Sequence, residues 1–149
     1  MFALSTKGRY ATRAMVELAS RHDSPPAQLA ELSASQDISA KYLSHLMSAL
    51  VSAGLVDSRR GKNGGFILAK APEQIRIYDI LRAVEGPAET APCTGRPERC
   101  RRSEQCVTRS VWQKVEDSLT SVLEGISLSD LVRKQRILTA GEGKSDDSI

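Results

Sequence analysis

Ser39-Ala40-Lys41-Tyr42-Leu43-Ser44-His45-Leu46-Met47-Ser48-Ala49-Leu50 is the stretch on which the fold turns. Leu43, Leu46, Met47 and Leu50 recur at helical spacing, so this segment predicts a helix over about 40–53 with one buried stripe. Ser39 is its N-cap and Gly54 its terminator. Lys41, Tyr42, Ser44, His45 and Ser48 fall on the other faces. Upstream, residues 26–34 predict a short helix with Leu29, Ala30 and Leu32 inward, started by Ser24 as N-cap and Pro25-Pro26 in its first turn. Gln36-Asp37 is the tight turn between the two. Downstream, Leu55-Val56-Asp57-Ser58 and Gly65-Phe66-Ile67-Leu68-Ala69 predict two short strands. The Gly-rich basic turn Arg59-Arg60-Gly61-Lys62-Asn63-Gly64 joins them.

Short helix, tight turn, second helix and basic hairpin, in that order, define a winged helix-turn-helix. The fold class is mainly α, with a small β-hairpin wing and a long C-terminal dimerisation helix. In this arrangement the second helix enters the major groove of duplex DNA. Compact polar groups on it approach base edges or phosphates, and Arg59, Arg60, Lys62 and Asn63 at the wing tip reach phosphates or the adjacent minor groove.

Working outward, residues 6–21 predict a first helix with Tyr10/Ala11, Ala14/Met15 and Leu18/Ala19 on one side. Residues 77–85 predict another, with Ile80, Leu81 and Val84 apolar, broken by Gly86-Pro87. Residues 108–124 predict a long helix. Its stripe Val111, Val115, Leu119, Val122 and Ile126 is nearly a heptad seam, suited to a partner helix or to the chain's own core. Ser127-Leu128-Ser129-Asp130 opens a last short helix to about Gln135. The expected organisation is a DNA-binding unit over 1–85, a Cys-rich loop over 86–107, the dimerisation and last helices over 108–136, and a disordered tail over 137–149.

The 149 residues carry 21 Lys+Arg and 18 Asp+Glu, a net charge of +3, unevenly spread. Residues 1–70 hold nine basic and five acidic groups, and residues 93–110 hold five and two, while both remaining blocks are net acidic. A basic N-terminal block suits a phosphate backbone. No stretch of 18 apolar residues exists and the start lacks a secretory pattern, so the reading is a cytoplasmic protein without a membrane partner. There is no Gly-rich phosphate loop after a strand, no nucleophile elbow and no HExxH. His22 and His45 lie in separate segments, so an enzyme is not expected.

All three cysteines, Cys93, Cys100 and Cys106, lie in the irregular segment beside Arg96, Arg99, Arg101 and Arg102. Three thiolates in one loop suit an Fe–S centre or zinc, although the spacing is unlike zinc ribbons. Positive charge lowers thiol pKa and offsets the charge of a thiolate-bound cluster. Sulfenate or disulfide chemistry without metal is the alternative use of the same residues. A cluster carrier and a regulator controlled by a protein partner are the other functional readings.

Leu4-Ser5-Thr6-Lys7-Gly8-Arg9-Tyr10-Ala11, Ile38-Ser39-Ala40-Lys41-Tyr42-Leu43, Gly54-Leu55-Val56, Arg59 to Phe66, and Cys106-Val107-Thr108 leading into Val111-Trp112 together resemble the IscR-like (Rrf-two type) bacterial transcription regulators. The resemblance covers about residues 3–135. It implies a homodimer whose long C-terminal helix crosses to the partner and which binds a two-fold symmetric site on double-stranded DNA. It places DNA contacts at Lys41, Tyr42, Ser44, His45, Arg59 and Arg60, beside Ser39, Lys62 and Asn63. Lys7 and Arg9, at the start of the first helix, are expected to meet backbone phosphate. Ser44-His45 stands where IscR-like members have Glu-Gln, so their target sequence does not transfer. The resemblance also implies a [2Fe–2S] cluster, or a [4Fe–4S] one, on the three cysteines. Here the first spacing is x6 in place of the usual x5. The fourth ligand does not carry over: Arg109 stands at the IscR-like His position and Arg9 at the N-terminal Asp position of nitric-oxide-sensing members. Glu98, Ser103, Glu104, Glu17 of the partner subunit and an external small ligand remain as donors.

Overall fold

The computed structural model describes residues 3–142. Helix α1 spans Thr6–Ser20, and the Ser5 Oγ accepts the Gly8 N–H at 3.3 Å. It buries Ala11, Ala14, Met15, Leu18 and Ala19. Helices α2 (Leu29–Gln36) and α3 (Ala40–Ser52) follow. The turn between them places Asp37 in the left-handed region, at φ 53°. The predicted cap of α3 is present: Ser39 Oγ accepts the Tyr42 N–H at 3.2 Å. Gly54, at φ 73°, ends the segment.

The start of α2 differs from the expectation. Ser24 and Pro25-Pro26 do not begin it. Ala27 instead pairs with Phe66, its N–H reaching the Phe66 carbonyl at 3.0 Å and the Phe66 N–H returning to the Ala27 carbonyl at 2.8 Å. Residue 27 is therefore extended. Gln28 becomes the N-cap, its N–H bonded to the Glu31 carboxylate at 3.1 Å. Leu32 is fully buried, Leu29 partly, and Ala30 faces solvent.

Strands β1 (Val56–Arg59) and β2 (Gly65–Leu68) form one antiparallel hairpin, in register Val56↔Leu68 to Arg59↔Gly65. Two glycines are required here. A Cβ on Gly64 would collide with the Arg59 carbonyl, and one on Gly65 (φ 146°) would lie 2.5 Å from the Ala27 oxygen. Gly65→Ala is expected to break the 27–66 pairing and cost about 1–3 kcal/mol, read by denaturant unfolding.

Helix α4 spans Ile77–Glu85 and packs along α1. The segment 87–107 holds a single helical turn, α5 (Pro92–Gly95), and a 3₁₀ turn at Pro97–Arg99. Helix α6 spans Val107–Glu124 and α7 spans Leu128–Glu142. The chain between them returns to the core, with the Ile77 N–H on the Ile126 carbonyl at 3.0 Å and the Leu128 N–H on the Ile75 carbonyl at 2.8 Å. The predicted capping box closes at α7. The Ser127 N–H meets Asp130 Oδ2 at 2.9 Å, and Ser127 Oγ accepts the Asp130 N–H at 3.2 Å. Those bonds from Ser127 hold the Asp130 carboxyl below its ordinary pKa.

Helix α7 runs past Gln135 to Glu142, so the disordered tail expected from 137 is corrected over 137–142. That stretch contains no proline, and the Thr139 hydroxyl bonds back to the Gln135 carbonyl at 3.1 Å. The rest of the expected tail, 143–149, lies outside the described residues.

One core joins α1, α2, α3, the hairpin, α4 and the start of α7, through Met15, Leu32, Leu43, Met47, Leu50, Ile75, Ile80 and Leu128. Helix α6 buries no residue. Leu123 and Ile126 pack on the core, while Val111, Leu119 and Val122 are exposed and Val115 is partly so.

Candidate nucleic-acid interface and cysteine loop

The two faces of α3 separate as its sequence dictates. Leu43, Leu46, Met47 and Leu50 are buried, and Lys41, Ser44, His45 and Ser48 are exposed. Two residues expected at DNA are engaged otherwise. The Ser39 hydroxyl is spent on the helix cap, although the residue is exposed. Tyr42 is half-buried, its ring edge-on to Tyr10 with centroids 6.0 Å apart at 80°. An aromatic pair in this geometry is favourable beyond its burial, which turns Tyr42 inward. Arg13 completes the stack. Its guanidinium carbon lies 5.5 Å from the Tyr10 centroid, and its Nε donates to Gln36 Oε1 at 3.1 Å. This stack ties α1 to both helices of the helix-turn-helix. Its only sequence signal is the single aromatic on α3.

The cations are available. Lys7 and Arg9 are exposed at the start of α1, and Arg59, Arg60, Lys62 and Asn63 are exposed on the wing. Among the described residues the ion pairs are Arg21 with Glu17 and Glu31, and Arg133 with Asp130. None uses Lys7, Arg9, Lys41, Arg59, Arg60 or Lys62. Six cations without carboxylate partners, on the elements that a winged helix presents to DNA, are poised for phosphate. Arg60→Ala is expected to weaken operator binding by about 1–3 kcal/mol if the side chain reads a base edge, and more weakly but for every sequence if it meets phosphate. Fluorescence anisotropy on specific and scrambled duplexes separates the two.

The cysteine loop is fastened along α6. The Thr90 N–H bonds Glu116 Oε2 at 3.2 Å, and its hydroxyl bonds the Trp112 carbonyl at 3.1 Å. Arg109 Nε donates to the Cys93 carbonyl at 3.1 Å. Arg109 thus serves as a clamp at the position where the fourth ligand failed to carry over. Cys93 lies in α5, Cys100 closes the 3₁₀ turn, and Cys106 is the N-cap of α6. All three are unbridged and part-exposed. The fold brings them into one loop but not into a finished cage: among the described residues no three His, Cys, Asp or Glu side chains group to hold a metal ion. The donor set itself fits a thiolate-ligated centre, being three accessible sulfurs with arginines around them.

Cys106 has a specific environment. The Thr108 hydroxyl, 3.1 Å from its sulfur, lowers the thiol pKa most, with help from the Arg109 backbone N–H and the charge of Arg102. A bond donated to the thiolate favours the charged form. Thr108→Val is expected to raise that pKa, so the pH midpoint of Cys106 alkylation moves up and labelling at pH ~7.5 slows severalfold. Mass-resolved iodoacetamide labelling reads the change.

An exposed polar recognition helix, a Gly-built basic wing and unpaired cations define a DNA-binding transcription regulator of the winged-helix class. Known proteins agree. The Rrf2 family model, described as an iron-dependent transcriptional regulator, matches residues 4–134. The HTH-type transcriptional regulator IscR of Photorhabdus laumondii is 37% identical over 97% of this chain and 87% of its own length. That of Escherichia coli O1:K1 is 37% identical over 91% and 83%. Among solved structures, CymR (YrzC), the global cysteine regulator of B. subtilis, superposes with a TM-score of 0.77 at 35% identity, covering 90% of this chain and 98% of that one. T. potens IscR gives 0.74 at 36%, covering 90% and 88%. The chain belongs to the Rrf2 family of transcriptional regulators and is not an enzyme. Among the described residues no helix is long and apolar enough to cross a membrane.

Proposed function

We propose that the protein is a cytoplasmic, homodimeric sensor-regulator, acting as a repressor, that reads a two-fold symmetric operator and is switched by an Fe–S cluster on Cys93, Cys100 and Cys106. The observation that carries this reading is the cysteine loop: three accessible, unbridged thiols among arginines, strapped by Thr90 and Arg109 to a helix on which Val111, Trp112, Leu119 and Val122 lie exposed. Val111, Val115, Leu119 and Val122 supply the dimer seam, with Ile126 at its end against the core. A [2Fe–2S] centre is the favoured form, and [4Fe–4S] uses the same three sulfurs. When bound, it supplies a redox- and nitric-oxide-sensitive group whose loss frees three thiolates.

The chain's own residues do the rest. Lys41, Ser44 and His45 face the major groove, and the wing with Lys7 and Arg9 holds phosphate. A dimer needs its two α3 helices in register with half-sites about 34–36 Å apart or a multiple of that. Ordering 92–107 against α6 changes how the two winged units are held, and a signal then acts through differential affinity of two states. The test is operator binding by the wild type and by the Cys93/Cys100/Cys106→Ala triple variant, before and after oxidation. The triple variant is expected to bind with signal-independent affinity. Full signal response in that variant overturns the cluster reading.

A second reading keeps the fold and replaces the cluster by thiol chemistry. Two observations favour it: the Thr108 hydroxyl 3.1 Å from the Cys106 sulfur, where it favours the thiolate, and a loop whose three sulfurs are not gathered into a cage among the described residues. It predicts a metal-free protein whose operator affinity follows Cys106 oxidation. A stoichiometric protein partner in place of metal is the third outcome.

A further inference from the structure

Helix α1 begins against the last residue of α4. The Ser5 hydroxyl that caps α1 donates its proton to Glu85 Oε1 at 2.5 Å and accepts the Gly8 N–H at 3.3 Å. Its proton and one of its lone pairs are thereby engaged. Gly8 is buried between its exposed neighbours Lys7 and Arg9. A Cβ there would run into the Glu85 carboxylate and would lie 2.8 Å from Leu81 Cδ2. A side chain there would force the Glu85 carboxylate and the end of Leu81 to move. The carboxylate also sits at the N-terminal end of α1, where a helix favours negative charge. The two cations on either side of Gly8 are thus held by a contact that uses neither of them.

Glu85 is also where α4 stops. Gly86 follows at φ 88°, and the cysteine segment begins beyond it. Four residues on, Thr90 is strapped to α6 through Trp112 and Glu116. A shift of the loop's first residues is therefore absorbed at Gly86 or delivered to Glu85.

We propose that Glu85 is a positioning residue for DNA binding: it sets the start of α1, and with it Lys7 and Arg9, and passes the state of the cysteine loop to that end of the interface. The second half rests on the sensor reading above; the first does not.

The test is a double-mutant cycle on operator binding, titrated against salt. Glu85→Ala is expected to flatten the plot of log K against log salt by about 0.9 for each phosphate that Lys7 or Arg9 no longer neutralises. In the Lys7→Ala/Arg9→Ala background it is expected to change the slope no further. Glu85→Gln keeps an oxygen for Ser5 and is expected to restore most of the slope. A structural defect alone would weaken binding equally in both backgrounds, so additivity overturns the proposal. Ser5→Ala removes only the hydroxyl; the same non-additive pattern is expected, and it serves if Glu85→Ala does not fold.

Coupling is read as the ratio of operator affinities before and after cluster loss. Glu85→Ala is expected to move that ratio towards one. An unchanged ratio overturns the coupling half. A wild-type ratio of one overturns the sensor reading and the coupling with it, while the salt cycle still decides the positioning role.

Discussion

Operator binding is expected to weaken about 10³–10⁵-fold as salt rises from about 50 to about 200 mM, the loss for 6–10 phosphate contacts. The structure supplies the contacts. Lys7, Arg9, Lys41, Arg59, Arg60 and Lys62 are exposed and carry no carboxylate partner among the described residues. A dimer doubles them, so roughly half to five-sixths need to meet phosphate at once. The dependence arises because each neutralised phosphate releases condensed counterion, and added salt makes that release less favourable. The net charge of +3 could not produce the effect as a diffuse attraction; local, unpaired cations do. Anisotropy titrations at four salt concentrations give the slope. Lys62→Ala should lower it by about 0.9 for each protomer whose Lys62 meets phosphate. A flat response contradicts the placement of α3 and the wing at DNA.

Leu43→Ala is expected to cost about 2–5 kcal/mol of folding stability. Leu43 is 0% exposed, on the inward face of α3 and one residue from Ser44. Removing its buried carbons forfeits transfer free energy of about 0.8 kcal/mol per methylene and leaves a cavity in the central core. Domain stabilities are about 5–15 kcal/mol, so this loss is a large fraction of the total. Ser44→Ala changes an exposed residue and is expected to stay within about 0.5 kcal/mol of wild type in unfolding. Its effect belongs to operator affinity. Urea unfolding and DNA titration on both variants should show the two effects on neighbouring residues separating cleanly.

What could be read from the sequence was what local chemistry determines. The Ser39 cap, the Gly54 stop, the wing glycines and the Ser127/Asp130 box each satisfy backbone groups within a few residues. The periodic stripes of α1 and α3 likewise reported their buried faces. Long-range pairing decided the rest. Pro25-Pro26 looked like a helix start because the partner that holds Ala27 extended, Phe66, lies in the wing. Tyr42 looked outward-facing until Tyr10 of α1 came beside it. Nothing near Gly8 in the chain announces Glu85. The polar composition from Thr139 on suggested disorder, yet α7, with no proline to stop it, continues through Gly141 to Glu142. In the site, the three cysteines and the basic wing were plain from residue type and spacing. The role of Arg109 was legible only as the absence of a ligand, and its clamp on the Cys93 carbonyl needed the fold.

That the cysteine loop is a cluster site controlling a DNA-binding dimer is tested most directly by anaerobic purification, with iron, sulfide and zinc assays and a visible spectrum on one sample. The expected result is coloured protein with iron equal to sulfide and charge-transfer bands, the iron per chain fixing the cluster type. Colourless protein with neither iron nor sulfide, even after anaerobic reconstitution, contradicts it.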